Sequence, residues 1–125
     1  DGVVLARAGN RTLELSDPTA HAEVLAIRAA AAAIGSERLV DCDLYVSLEP
    51  CAMCAGAAYW AGIGRIVYGL SESALRQITG NHPENPTLDL PCRVVLESGQ
   101  RTVEVIGPML EDEAAELHVS FWASR

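Results

Sequence analysis

The chain contains no lysine. Its nine basic residues are all arginine, set against 17 acidic residues, which gives a formal net charge of −8 at pH 7. The arginines occur singly rather than in a cluster. A protein that follows a phosphate backbone usually carries a continuous basic surface, so this pattern argues against electrostatic attraction to nucleic acid or anionic lipid. The charge instead favours solubility.

The sequence also lacks long apolar runs, internal repeats and a dense set of cysteines. No run approaches the ~20 apolar residues needed to span a bilayer, and no basic segment followed by an apolar one opens the chain. We therefore expect a cytoplasmic protein with no membrane partner. Four cysteines among 125 residues are too few for a disulfide scaffold. Because 50% of the residues are hydrophobic and no low-complexity linker occurs, we expect one globular domain over residues 1–125.

Turn and capping residues divide the chain into alternating strands and helices. Strands are predicted over Val3 to Ala8, Asp43 to Leu48, Arg65 to Leu70 and Val103 to Ile106. Helices are predicted over Ala20 to Ile34, Ala52 to Ala61, Ala74 to Ile78 and Glu111 to Ala123. The proline-rich stretch from Gly80 to Pro91 is predicted as a loop. This alternation indicates an α/β sandwich, in which ligands bind at the carboxyl ends of the strands.

Two short motifs carry side chains that bind metals. His21 begins the first long helix and is followed after one residue by Glu23, while Cys51 and Cys54 lie one turn apart at the start of the next helix. One imidazole and two thiolates suit Zn²⁺, and three protein ligands leave a fourth position for water, as in catalytic sites. A helix N-terminus also favours the thiolate form of cysteine. The residues therefore predict a catalytic zinc site.

Glu23 lies close enough to the predicted ligand to reach a water molecule at the metal. Zinc lowers the pKa of bound water from ~16 toward ~7, and a carboxylate beside it can take a proton and return it to a leaving amine. Other interpretations stay open for the separate motifs. A lone Cys-x-x-Cys also suits a redox or structural site, and a lone histidine at a helix start is more often structural. Cys42 and Cys92 have the character of small buried residues. The joint pattern favours the catalytic zinc site.

The segments His21-Ala22-Glu23 and Pro50-Cys51-Ala52-Met53-Cys54 together resemble the signature of the cytidine deaminase superfamily. The similarity extends from Gly9-Asn10-Arg11 to Tyr68-Gly69. Within the superfamily, the chain resembles the branch that contains bacterial tRNA adenosine deaminases, guanine deaminases and yeast-type cytosine deaminase. The resemblance implies a three-layer α/β/α sandwich with a mixed central sheet. It also implies one zinc ion per chain held by His21, Cys51 and Cys54, Glu23 as the proton shuttle, and a homodimer.

A substrate pocket is implied by the same resemblance. Asn10 matches a loop asparagine that hydrogen-bonds the base, Ala22 would contact the ring through its backbone, and Glu72 keeps the family's acidic residue after the third predicted strand. A simple turn role would also explain Asn10. Phe121 and Trp122 could close over a flat base, as C-terminal aromatics do in the small-molecule branch, although core packing would explain at least one of them.

Two departures from the family pattern bear on the fold and on the substrate. Family members usually begin with a helix and a strand before the position of Gly2, so we expect a central strand and part of the pocket wall to be missing, with the chain a fragment or a partner supplying them. After Leu70, the Gly-rich turn and basic last helix of the tRNA enzymes are replaced, and the last helix opens with Glu111-Asp112-Glu113. These acids suit a helix N-terminus but would repel a phosphate chain.

The leading interpretation is a zinc-dependent hydrolytic deaminase of a free nucleobase or nucleoside, either a purine such as guanine or adenine, or cytosine. The alternative keeps this chemistry and makes the substrate adenosine at the wobble position of tRNA. A non-catalytic zinc-binding module is disfavoured because zinc binding alone does not need Glu23. Trp60 is expected in the core or at a dimer seam, on the helix whose small-residue face includes Ala55, Gly56 and Ala58.

Overall fold

The structure is a computed structural model that describes residues 2–80, 82–84 and 86–123, with side chains as far as Val119. The described residues form six helices and three strands. In chain order these elements are α1 (Thr12–Leu15), α2 (Ala22–Ile34), β1 (Asp43–Leu48), α3 (Ala52–Ala61), β2 (Arg65–Leu70), α4 (Glu72–Thr79), α5 (Cys92–Glu97), β3 (Glu104–Ile106) and α6 (Glu111–Ala123).

Most predicted elements are confirmed, several of them to the residue. The bounds of β1, α3, β2 and α6 agree with the sequence, and α2, α4 and β3 differ only at their ends. Glycine explains two of the sharp boundaries, since Gly35 after α2 and Gly62 after α3 have left-handed backbones, with φ of 78° and 87°. Two short helices were not predicted: α1, and α5 directly after the predicted loop.

The three described strands form one parallel sheet in the order β1-β2-β3. Asp43 of β1 pairs with Arg65 of β2, which pairs in turn with Glu104 of β3. Every described pairing among these strands is parallel, so no antiparallel pair of the mixed sheet implied by the resemblance lies among them.

The predicted strand over residues 3–8 is also wrong. These residues adopt no regular secondary structure, and a cavity of about 690 Å³ lies between them and β1. A strand needs a neighbour about 4.8 Å away to satisfy its backbone groups. The lining of this cavity includes residues of β1 but none of β2, and β1 is an edge strand of the described sheet. Residues 2–11 contain no helix or strand.

The core lies mainly on one face of the sheet. Ile66 and Tyr68 of β2 pack there in one buried cluster with alanines of α2 and α3 and with Leu96 of α5. Successive strand residues point to opposite faces, so Gly69 faces the other side, where α6 approaches it. Helices therefore lie on both faces of β2, as predicted for a three-layer arrangement. Tyr45 on β1 is 69% exposed, so α6 does not cover that end of the sheet.

No described helix is long and apolar enough to cross a bilayer. The cytoplasmic location expected from the sequence stays a prediction.

The close approach of α6 to β2 predicts that Gly69 tolerates no side chain. A Cβ at this position would lie 2.7 Å from the carbonyl oxygen of Ser47 and 3.1 Å from the Cβ of Ala114. We expect Gly69→Ala to lower the free energy of unfolding by about 1–3 kcal/mol, measured by denaturant titration, because overpacking shifts backbone.

Gly64→Ala is the matched control. A Cβ there would meet only the carbonyl oxygen of Val40, at an ordinary 3.9 Å. Its free energy of unfolding should stay within about 0.5 kcal/mol of the parent. Equal effects of the two substitutions would contradict the assignment of a close contact at Gly69.

Candidate active site

The predicted metal ligands lie where two helices begin. His21 is the N-cap residue of α2, and Cys51 is the N-cap residue of α3, each with an extended backbone that leads into the first turn. Cys54 follows one turn into α3 and is fully buried. Because Cys51 comes three residues after the end of β1, the site lies at the carboxyl end of a parallel strand, as the fold class predicts.

The three donor atoms lie close enough together to hold one metal ion. The Nδ1 atom of His21 is 3.5 Å from the Sγ atom of Cys54 and 3.7 Å from that of Cys51, and all three donors lie within 4.8 Å of one another. A tetrahedral zinc ion with ordinary bond lengths separates a nitrogen from a sulfur ligand by about 3.6 Å. The donor set therefore fits zinc in both chemistry and spacing.

The two cysteines are electrostatically unequal. A hydrogen bond from the Cys54 thiol, assisted by the backbone N–H groups of Cys54 and Met53, lowers the pKa of Cys51 to about 5 despite burial. The same bond raises the pKa of Cys54, and burial and the neighbouring charge of Glu23 raise it further. In the absence of a cation, these opposite shifts favour a proton on Cys54 over one on Cys51. A metal ion supplies the positive charge that lets both sulfurs bind as thiolates.

Glu23 lies beside this ligand pair, as the sequence predicts. It occupies the first turn of α2, two residues after the ligand His21. Burial raises the pKa of Glu23, and the charge of Cys51 raises it further. A carboxyl group whose pKa is raised toward neutrality can accept a proton and give it back.

Two buried acids flank the ligands on the other side. Glu72, predicted from the resemblance, is 8% exposed at the start of α4. Burial, followed by the charges of Cys51 and Glu49, raises the pKa of Glu72 to about 7. Glu49 is 5% exposed and was not predicted. The available signal was its position between a predicted strand and the turn that carries the predicted metal ligands, because a glutamate that is buried there needs hydrogen-bond partners.

Asn10, expected to bind the base, makes hydrogen bonds within its own loop. The Oδ1 atom of Asn10 accepts hydrogen bonds from the backbone N–H and the hydroxyl of Thr12, both at 2.9 Å, so its side chain makes the turn that starts α1. The next residue, Arg11, donates its N–H to the carbonyl of Ala20 at 3.0 Å, which holds this loop beside His21. A role of Asn10 in binding a base stays a prediction.

Ala22 and the two C-terminal aromatics complete the expected pocket. Ala22 is the first residue of α2, between His21 and Glu23, and it lines one end of the cavity beside β1 together with Glu23. The side chains of Phe121 and Trp122 lie outside the described residues.

Comparison with known proteins agrees with this geometry. A family described as the cytidine and deoxycytidylate deaminase zinc-binding region matches residues 1–70. A "Probable cytosine deaminase" of Schizosaccharomyces pombe is 42% identical over 123 residues, which cover 98% of this chain and 73% of that protein. A tRNA-specific adenosine deaminase of Agrobacterium fabrum is 58% identical over 72 residues, which cover 58% of this chain but only 47% of that protein.

A solved structure supports the fold directly. The guanine deaminase from Nitrosomonas europaea aligns with a TM-score of 0.75 at 28% identity, over 93% of this chain and 64% of that one. The α/β/α fold implied by the resemblance is confirmed by this likeness. The match to a zinc-binding family, together with the spacing of His21, Cys51 and Cys54, identifies the site as a zinc site.

The ligand geometry predicts about one zinc ion per chain, lost when a ligand is removed. We expect Cys54→Ser to be purified with little zinc, as measured by inductively coupled plasma mass spectrometry, because a hydroxyl is a much weaker zinc ligand than a thiolate. Cys42→Ser changes a cysteine outside the ligand group and should keep the parent zinc content. Zinc retained by Cys54→Ser at the parent level would contradict the ligand assignment.

Proposed function

The chain belongs to the cytidine and deoxycytidylate deaminase family, and we propose that it is a hydrolytic deaminase of a free nucleobase or nucleoside. The observation that carries this proposal is the position of Glu23 in the first turn of α2, two residues after the metal ligand His21. It puts a carboxyl group of raised pKa at the edge of a three-ligand zinc site. Zinc binding alone needs no such carboxyl, whereas hydrolysis of an amidine needs a group that moves protons.

The metal site and Glu23 have separate roles in such a reaction. His21, Cys51 and Cys54 would hold the zinc ion, which would supply a Lewis acid to activate water for addition to the amino-bearing ring carbon. Glu23 takes the proton from the attacking water and delivers it to the ring nitrogen. It then takes the proton of the hydroxyl group added to the ring carbon and passes it to the amino group. The C–N bond breaks, ammonia leaves, and the carbon becomes a carbonyl. The overall balance is one water consumed and one ammonia released.

Charge near the site favours a small substrate over a polynucleotide. Glu49 and Glu72 lie buried beside the ligands, and the first turn of α6 exposes Glu111, Asp112 and Glu113. These carboxylates do not repel a small neutral base, whereas they repel each negatively charged phosphate of an RNA. Glu72 is the candidate acceptor for a ring N–H or exocyclic amino group.

The second candidate is deamination of adenosine at the tRNA wobble position. It is favoured by the 58% identity to the Agrobacterium fabrum enzyme over 72 residues. In that case the RNA contacts would come from residues other than the acidic surfaces described above.

An ammonia-release assay with purified zinc-loaded protein tests the function. The panel contains guanine, guanosine, adenine, adenosine, cytosine and cytidine, with an anticodon stem-loop RNA sequenced for inosine in parallel. We expect ammonia from at least one free base or nucleoside. Glu23→Gln should bind zinc and lose about 10²–10⁴-fold in kcat, because it removes the proton carrier. The exposed Glu37→Gln is the control and should keep parent activity.

Two results would overturn the proposal. Faster conversion of the RNA than of any free nucleoside would assign the protein to tRNA editing. Full zinc content with no ammonia and no inosine would favour the non-catalytic zinc module.

An exposed apolar stripe on α3 supports a homodimer. Trp60 is 80% exposed, which corrects the expectation of core packing, and Met53 lies two turns earlier on the same side of the helix with Gly56 and Ala57 between them. The other small residues considered for a dimer seam, Ala55 and Ala58, are fully buried within this chain. A large exposed tryptophan on a helix that carries metal ligands is explained if a second copy covers it.

We expect the parent to have about twice the 13.3 kDa chain mass in multi-angle light scattering, and Trp60→Ser to shift it toward monomer. Tyr45→Ser is the matched control, because Tyr45 is another exposed aromatic, 69% exposed, on β1 rather than α3. A parent of single-chain mass, or loss of the dimer in Tyr45→Ser alone, would contradict pairing through this stripe.

A further inference from the structure

We propose that Glu49 is a positioning residue of this site: its buried carboxylate joins the first turns of α4 and α5 to the turn that carries Cys51. It thereby fixes Glu72 relative to the metal ligands. The inference rests on the deaminase function proposed above and deepens it.

The contacts of Glu49 reach three separate parts of the chain. Its Oε1 atom accepts the backbone N–H of Glu72 at 3.0 Å, and its Oε2 atom accepts that of Cys92 at 2.7 Å. Its own N–H donates to the carbonyl of Leu70, at the end of β2, at 2.7 Å. With 5% of its surface exposed, the side chain is held by protein groups rather than by bulk water.

Both N–H donors belong to the first residue of a helix. Such groups have no partner within their own helix and must be satisfied from outside. In α4 the hydroxyl of Ser71 already accepts the N–H of Ala74, and Glu49 takes that of Glu72. In α5 the N-cap residue is Pro91, which makes no side-chain cap, so Glu49 supplies one from 43 residues away. The positive ends of two helix dipoles also stabilise the buried carboxylate.

The connection to the metal ligand is short and stiff. Only Pro50 separates Glu49 from Cys51, and Pro50 is fully buried with a ring that fixes φ. A shift of Glu49 therefore moves Cys51. On its other side, Glu49 holds the backbone of Glu72 itself. The carboxylate thus sets the distance between a metal ligand and the acid proposed to bind substrate.

The geometry requires a carboxylate and not merely a polar group of the same shape. Each of its two oxygens accepts one N–H. In Glu49→Gln one oxygen is replaced by an NH₂ group that would face an N–H donor, so one helix start loses its acceptor. The substitution keeps the volume of the side chain and removes one of the two connections.

The first experiment measures zinc affinity by chelator competition, at a temperature where circular dichroism shows each variant to be folded. We expect Glu49→Gln to bind zinc about 10–100-fold more weakly than the parent, the usual effect of losing a partner that orients a ligand. Glu97→Gln, an exposed acid at the end of α5, is the control and should keep parent affinity. Lowered thermal stability with unchanged zinc affinity would show a purely structural role and overturn the inference.

The second experiment needs no variant and therefore stands even if Glu49→Gln fails to fold. Coupling between two sites is reciprocal, so zinc binding at Cys51 should strengthen the hydrogen bonds that Glu49 accepts. We expect zinc loading of the parent to slow amide hydrogen exchange at Glu72 and Cys92 more than at Ala74, whose N–H is held by Ser71 instead. Equal changes at all three amides would overturn the inference.

Neither readout uses ammonia release, so the two proposals can fail separately. A parent that shows the zinc-linked protection but deaminates nothing would remove the proposed activity and leave the positioning role of Glu49 intact.

Discussion

The close packing of α2 against α3 is the constraint on which the site depends. Each helix delivers ligands only at its N-terminus, so both must start at the same place. Ala30 of α2 and Ala55 and Ala58 of α3 lie in one buried cluster, and such small side chains let two helix axes approach closely. The imidazole and the two thiol groups then fall within 4.8 Å of one another. The parallel sheet beneath provides the common surface on which this pairing forms.

The ligand residues were predictable because their signals are local. His21 with Glu23, and Cys51 with Cys54, are each spaced within one helical turn, and the glycines that end α2 and α3 stand at the helix ends in the sequence itself. β1 and β2 were predictable for the same reason. Short runs of β-branched and aromatic residues between turn signals predict strands without any knowledge of distant parts of the chain. The packing of the two helix starts against each other then follows from the fold class.

The features that were missed depend on distant parts of the chain. Residues 3–8 have a strand-like sequence, but a strand forms only with a neighbour, and a cavity lies between these residues and β1. Glu49 has partners 23 and 43 residues away, so no local pattern reveals that it caps two helices. Trp60 is a large apolar residue of a kind that usually packs in a core. Only the orientation of α3 in the fold shows that its side chain is 80% exposed.

Negative charge connects the metal site with the choice of substrate. Glu23, Glu49 and Glu72 are acidic neighbours of the two cysteines. Burial, followed by the charges of Cys51 and Glu49, raises the pKa of Glu72 to about 7. The hydrogen bond with Cys51, followed by burial and the charge of Glu23, raises the pKa of Cys54. A divalent cation relieves this crowding, which strengthens zinc binding and releases protons. One zinc ion offsets only part of the charge on two thiolates and three carboxyl groups. For the small substrate that we propose, the remaining field matters because it repels phosphates and leaves a neutral heterocycle free to enter.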